Sequence, residues 1–126
     1  MKTSLPPPTK AERERIEAMK PLGCIPCSVV GVVWLYPLEL HHLLEGGRRM
    51  GHWFSIFCCR GHHQGDHWTL YQTLMIPAEA RVSIASGSRA FAKVYGSELD
   101  LWRGVQRKLG LPADLPATKI LPRRLA

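Results

Sequence analysis

Apolar positions along this chain follow a helical period in some stretches and a strand-like one in others. Phe91, Val94 and Tyr95 recur at i, i+3 and i+4, and Leu101, Trp102, Val105 and Leu109 form a second stripe. These spacings predict two helices. Ser88 is the expected start of the first and Gly96 its stop, while Ser97 with Asp100 caps the second, which Gly110 and Pro112 close. A further helix is predicted from Thr9 to about Lys20, because Thr9 and Glu12 have capping-box spacing and Pro21 and Gly23 follow. Ile16 and Met19 are its expected core positions.

The middle of the chain reads as strands. Val29 to Trp34 is apolar and largely β-branched, Leu38 to Leu43 is a second extended stretch, and Trp53 to Phe57 a third. Between the last two lies the basic, glycine-rich loop 45–51. Residues 66–80 show no clean period and predict a long irregular excursion, with His67 on the surface. Pro6, Pro7 and Pro8 mark residues 1–8 as an extended arm, and 111–126 reads as an irregular basic tail after a domain spanning 9–110. Length is consistent with one α+β domain, the chain having 126 residues.

Charge narrows the class of partner. Seventeen Lys and Arg against ten Asp and Glu leave +7, which favours a polyanion such as DNA. The tail is the most basic part, with Asp114 the single acid from residue 101 onward. No apolar run approaches the roughly 18 residues a membrane span needs, and the amino terminus does not read as an export signal. A cytoplasmic protein is therefore expected. In that setting four cysteines point to metal more than to disulfides, although a disulfide-stabilised interaction protein is a rival reading.

Cys24-Ile25-Pro26-Cys27 is a C-x-x-C knuckle after a glycine, and Cys59-Arg60-Gly61-His62 is a C-x-x-H. Cys24, Cys27, Cys59 and His62 together make a closed four-ligand set of the kind that holds structural Zn2+. Cys58 is set aside as a buried apolar residue, since neighbouring strand side chains point to opposite faces and Cys59 has the tighter spacing to His62.

Five of the six histidines fall between residues 41 and 63. Clustered imidazoles imply a metal or a proton-transfer task, because each is a polar ring that needs partners when buried. On a strand His41 and His42 face opposite ways, so one can ligate a cation while the other approaches substrate. That division suits phosphodiester hydrolysis, in which a divalent ion stabilises charge and a neutral imidazole activates water. Arg48 and Arg49, flanked by glycines, are candidate phosphate contacts. The arm and the segment Lys119 to Arg124 add candidate nonspecific DNA affinity.

The segments LGCIPC, LELHHLLEGGRRMGHWFSIFCCRGHHQG and IASGSRAFAKVYGSE, in that order, resemble the bacteriophage recombination-enhancement (Ref) family of RecA-dependent nucleases, members of the HNH or ββα-metal endonucleases. The resemblance covers roughly residues 9–110. It implies a ββα-metal, treble-clef-like core with flanking helices, and a DNA endonuclease working with a RecA filament in a bacterial host. By position, His41 corresponds to a ligand of the catalytic divalent metal (Mg2+ or another), His42 to the general base and His63 to the last metal ligand. Glu39, two residues before His41, is expected to orient it or touch the metal. Two positions depart from the family pattern. Ile56-Phe57-Cys58-Cys59 stands where I-P-L-C is usual, and Phe54 occupies the polar place in the H-N-H triplet. His52, on the same strand face, is the candidate substitute. A zinc-containing DNA-binding module without catalysis is the alternative that Phe54 raises.

Overall fold

The computed structural model describes residues 5–45 and 47–114. It is a small α+β structure with two two-stranded sheets among those residues. Helix α1 (Lys10–Met19) starts as its cap predicts: the Thr9 hydroxyl accepts from the Glu12 amide at 3.2 Å, and the Glu12 carboxylate accepts from the Thr9 amide at 2.8 Å. Met19 is fully buried and Ile16 packs against the core. Arg15, on the same inner face, is also buried: its Nε donates to Gln106 Oε1 at 2.6 Å and Nη1 to Ser55 Oγ at 3.3 Å. Among the described residues no carboxylate pairs with it, and burial lowers its pKa to about 10.

The expected strand from Val29 to Trp34 does not form. Instead Cys24 caps a short helix, α2 (Ile25–Val29), with Pro26 in its first turn where no amide is needed. The chain then loops back on itself: Val32 N donates to the Cys27 carbonyl at 2.9 Å and Cys24 N to the Trp34 carbonyl at 2.8 Å. Among the described residues this β-branched run has no strand to pair with, and Val33 is left 71% exposed. Gly23 is required at the approach: its φ is 72°, and a Cβ there would collide with the Trp34 carbonyl oxygen.

Strand β1 (Glu39–His42) pairs antiparallel with β4 (Ser55–Cys58), His42 opposite Ser55 and His41 opposite Ile56. Between them β2 (Leu44–Glu45) and β3 (Arg48–Arg49) make a small hairpin inside the glycine-rich segment expected as loop. Every residue of β4 is buried. It runs straight into α3 (Arg60–Gln64), capped by Cys59 and ended by Gly65 in the left-handed region.

The 66–80 excursion holds a helix the periodicity missed. In α4 (Leu70–Met75), Thr69 and Gln72 form a second capping box, but at six residues it is too short to show a stripe, and Leu70 and Leu74 are exposed. Helix α5 (Ser88–Tyr95) begins one residue earlier than expected, with Gly87 and not Ser88 at its cap position. Helix α6 (Glu98–Leu109) is capped by Ser97 through the Asp100 amide, as the spacing predicts. Its Trp102 stacks on Phe54 with ring centroids 4.8 Å apart and donates to the Trp53 carbonyl at 3.0 Å, joining α6 to the approach to β4. The segment Lys119 to Arg124 lies outside the described residues. No helix among those described is long and apolar enough to cross a membrane.

Phe54 is 2% exposed and sits at the centre of this packing. Phe54→Ala is expected to cost about 3–5 kcal/mol of unfolding free energy in urea titrations. A loss under about 1 kcal/mol would contradict its core role.

Candidate metal centre and histidine site

Two short helices each begin on a cysteine, and this brings the sulfur ligands together. Cys24 caps α2 and accepts from the Cys27 amide at 3.3 Å, while Cys59 caps α3 and accepts from the His62 amide at 3.4 Å. Helix starts thus supply N–H groups to both sulfurs, which favours the thiolate form. The ligand atoms of Cys24, Cys27, Cys59 and His62 all lie within 4.8 Å of one another, and the residues are buried. His62 Nδ1 is 3.6, 3.5 and 3.3 Å from the sulfurs of Cys24, Cys27 and Cys59, and the Cys27 and Cys59 sulfurs are 3.9 Å apart.

These four distances match edges of a zinc tetrahedron. Bonds of about 2.3 Å to sulfur and about 2.0 Å to nitrogen at tetrahedral angles give edges of about 3.5 Å between S and N and about 3.8 Å between S and S. The donor set therefore fits Zn2+, and the cluster can bind such a metal. None of the cysteines is bridged in a disulfide. Hydrogen bonds from Cys24 and Cys27 hold Cys59 far below its ordinary value, whereas burial pushes Cys24 far above. Cys58 is fully buried and stands apart from the cluster, its thiol raised by burial as a core residue's should be.

Residues that sequence reasoning assigned to the core or to loop prove to surround these ligands. His62 Nε2 donates to Tyr95 Oη at 2.5 Å, and that hydroxyl donates to the Ala80 carbonyl, which leaves Nδ1 free to face the sulfurs. Gln72, from the unexpected helix α4, donates to Cys59 Sγ at 3.0 Å. The Trp68 ring lies edge-on to His62 at 4.9 Å and rests on Gly61, where a Cβ would collide with it.

One residue past His62 the chain turns toward β1. His63 Nδ1 lies 2.8 Å from Glu39 Oε1, His41 Nε2 lies 2.6 Å from Glu98 Oε1, and the His41 and His63 rings meet edge-to-face at 5.2 Å. In each contact an imidazole N–H can donate to the carboxylate, with Nδ1 of His41 and Nε2 of His63 on the far side of the ring. Carboxylate-backed imidazoles of this kind are the usual form of metal-ligating histidine. Glu39 does not orient His41, as its place on the strand face suggested: it reaches α3, where it also accepts from Gln64 at 2.8 Å. Desolvation raises its pKa, but the bonds from His63 and Gln64 and the charge of Arg60 outweigh this and hold the carboxyl below its ordinary value. Glu98 carried no signal beyond that of an acidic first-turn residue in α6. It becomes legible only when the helix is packed against β1.

His42, the next residue along β1, engages a second imidazole instead of a carboxylate. Its Nε2 is 3.0 Å from Nδ1 of His52, and Nε2 of His52 is 2.7 Å from the Pro6 carbonyl. His52 therefore does not join the His41–His63 pair, since both of its ring nitrogens are engaged. Burial first, then the charges of His52 and Arg49, lower the His42 pKa to about 4, so the ring is neutral at pH 7. Arg48 and Arg49 are exposed on β3. Phe54 is turned into the core against Trp102 and contributes no polar group. A cleft of about 750 Å³ opens beside His41 and Glu98, walled by Leu43, Met50 and Ile84 with Arg89 at its side.

Comparison with known proteins adds one match. A family model described as "Recombination enhancement, RecA-dependent nuclease" covers residues 8–109. No curated protein matches the chain significantly.

Elemental analysis of purified protein should find one zinc per chain. Tyr95→Phe and Gln72→Leu should each weaken zinc about 10–100-fold in chelator competition while the fold persists, and Cys59→Ser should abolish stoichiometric zinc. Full zinc retention in Cys59→Ser would remove that residue from the ligand set.

Proposed function

The chain belongs to the family of recombination-enhancement, RecA-dependent nucleases, and from that membership we propose that it is a divalent-metal-dependent DNA endonuclease of the HNH, or ββα-metal, type. On this reading it is phage- or prophage-encoded and works with RecA filaments in the cytoplasm of a bacterial host. The observation that carries the reading is the pair of carboxylate-backed imidazoles, His41 and His63, meeting at 5.2 Å where β1 packs on α3. The sequence of an antiparallel strand pair followed by a helix supports it as well.

His41 and His63 would hold the catalytic ion, with Glu39 and Glu98 fixing their rings. When bound, Mg2+ or a similar ion supplies charge stabilisation at the scissile phosphate and the leaving oxygen. His42, neutral at pH 7, takes a proton from the attacking water as the new P–O bond forms and the old one breaks. Arg48 and Arg49 grip the DNA backbone from their exposed hairpin. A zinc held by Cys24, Cys27, Cys59 and His62 would be anchored one residue before His63 on α3, and would fix the position of His63 without entering the chemistry.

Burial of Phe54 favours a second reading, a zinc-containing DNA-binding module of the same fold without catalysis, because no polar side chain stands at that position. Nicking of supercoiled plasmid at low salt, with and without RecA filament, separates the two. The nuclease reading expects divalent-metal-dependent nicking, and a loss of about 10²-fold or more in His42→Ala with zinc content unchanged. Equal activity in wild type and His42→Ala would refute His42 as the base. Binding without nicking across Mg2+, Mn2+, Ni2+ and Zn2+ would favour the module.

A further inference from the structure

The chain of contacts Pro6–His52–His42 has a direction, and that direction is set by the one partner that cannot change roles. A proline carbonyl only accepts hydrogen bonds, so His52 must donate from Nε2, 2.7 Å away. With both rings neutral, His52 then has no second N–H, and its Nδ1 must accept. The donor to it is His42 Nε2, at 3.0 Å. His42 has spent its one N–H, and its lone pair is left on Nδ1.

The backbone of His52 is fixed independently. Its carbonyl accepts from Ser55 Oγ at 2.8 Å, Ser55 accepts from buried Arg15, and Ser55 is the register partner of His42 on β4. Ring and backbone of His52 are therefore both tied to the strand pair that carries His42.

We propose that His52 is a positioning residue that, anchored by the Pro6 carbonyl of the amino-terminal arm, selects the tautomer of His42 in which Nδ1 is the proton-accepting nitrogen. The inference rests on the nuclease reading for its consequence, but the tautomer itself does not. When Nδ1 takes a proton from water, His42 becomes an imidazolium whose Nε2–H still points at the lone pair of His52, so the charge forms against an acceptor already in place. No other proton moves. The arm thus gains a function other than gripping DNA: one of its backbone carbonyls orders the base.

The test reads tautomer and rate separately. In wild-type protein, 15N NMR of the ring nitrogens should show His42 protonated at Nε2 and bare at Nδ1. His52→Ala should relax that preference and lower kcat about 10²-fold with KM changed less than about 3-fold and zinc content unaltered. His52→Gln should restore most of the rate, because its amide oxygen can accept from His42 while its amide nitrogen donates to Pro6. Deleting residues 1–6 should lower kcat in the same direction, whereas an arm that only holds DNA would raise KM instead. A wild-type His42 protonated at Nδ1, or a His52→Ala variant that nicks at the wild-type rate, would overturn the inference. A bare Nδ1 that depends on His52, in a protein that cuts nothing with any metal, would uphold the tautomer and sink the nuclease reading alone.

Discussion

The structure depends on closing one tetrahedron of three sulfurs and an imidazole. The strands are four residues long in one sheet and two in the other, and pairings this short are marginal without outside support. A cation held by Cys24, Cys27, Cys59 and His62 would join the turn after α1, α2, the exit of β4 and the start of α3 at a single point. The surrounding hydrogen bonds extend that point outward: Tyr95 brings in α5, and Gln72 brings in α4. Small domains commonly replace missing core with metal in this way.

That constraint also shapes the neighbouring site. Because α3 starts at Cys59, His62 must face the sulfurs, and the helical turn of about 100° per residue sends His63 to a different face, where it meets Glu39 of β1. Strand alternation does the same for the other pair: His41 meets α6 through Glu98 while His42 shares a face with Ser55 and reaches His52. Two adjacent-histidine pairs, 41–42 and 62–63, are each split by local geometry into separate environments. One consists of sulfur and tyrosine, one of carboxylates, and one of a second imidazole.

Some of this was legible in the sequence because it is local. The C-x-x-C and C-x-x-H spacings are short enough for helix starts to determine the ligand geometry, and the Thr9/Glu12 and Ser97/Asp100 caps act within one turn. Other features depend on what lies across the fold. Val29 to Trp34 has strand propensity, but the knuckle folds it back before any partner appears. Helix α4 keeps Leu70 and Leu74 exposed and buries Gln72 for the sake of a thiolate, an inversion that hides it from any search for apolar periodicity. Glu98 and Arg15 are likewise unreadable locally, since an acid at a helix start and an arginine in a helix are ordinary until their partners 57 and 91 residues away are known.

Phe54 links the core to the chemistry. A polar side chain at its position would have to leave the Trp102 ring and desolvate unpaired, so the aromatic stack and a ligand at that place exclude one another. On the proposed reading the site does not go without: Glu98, delivered by the helix that Trp102 anchors, supplies a carboxylate to His41 from the opposite wall. The same packing therefore removes a polar group from β4's approach and brings one in on α6. Helix α6 then belongs to the site as much as to the core, and loosening Trp102 from Phe54 should disturb the His41 ring before it disturbs the zinc cluster, to which α6 contributes no ligand.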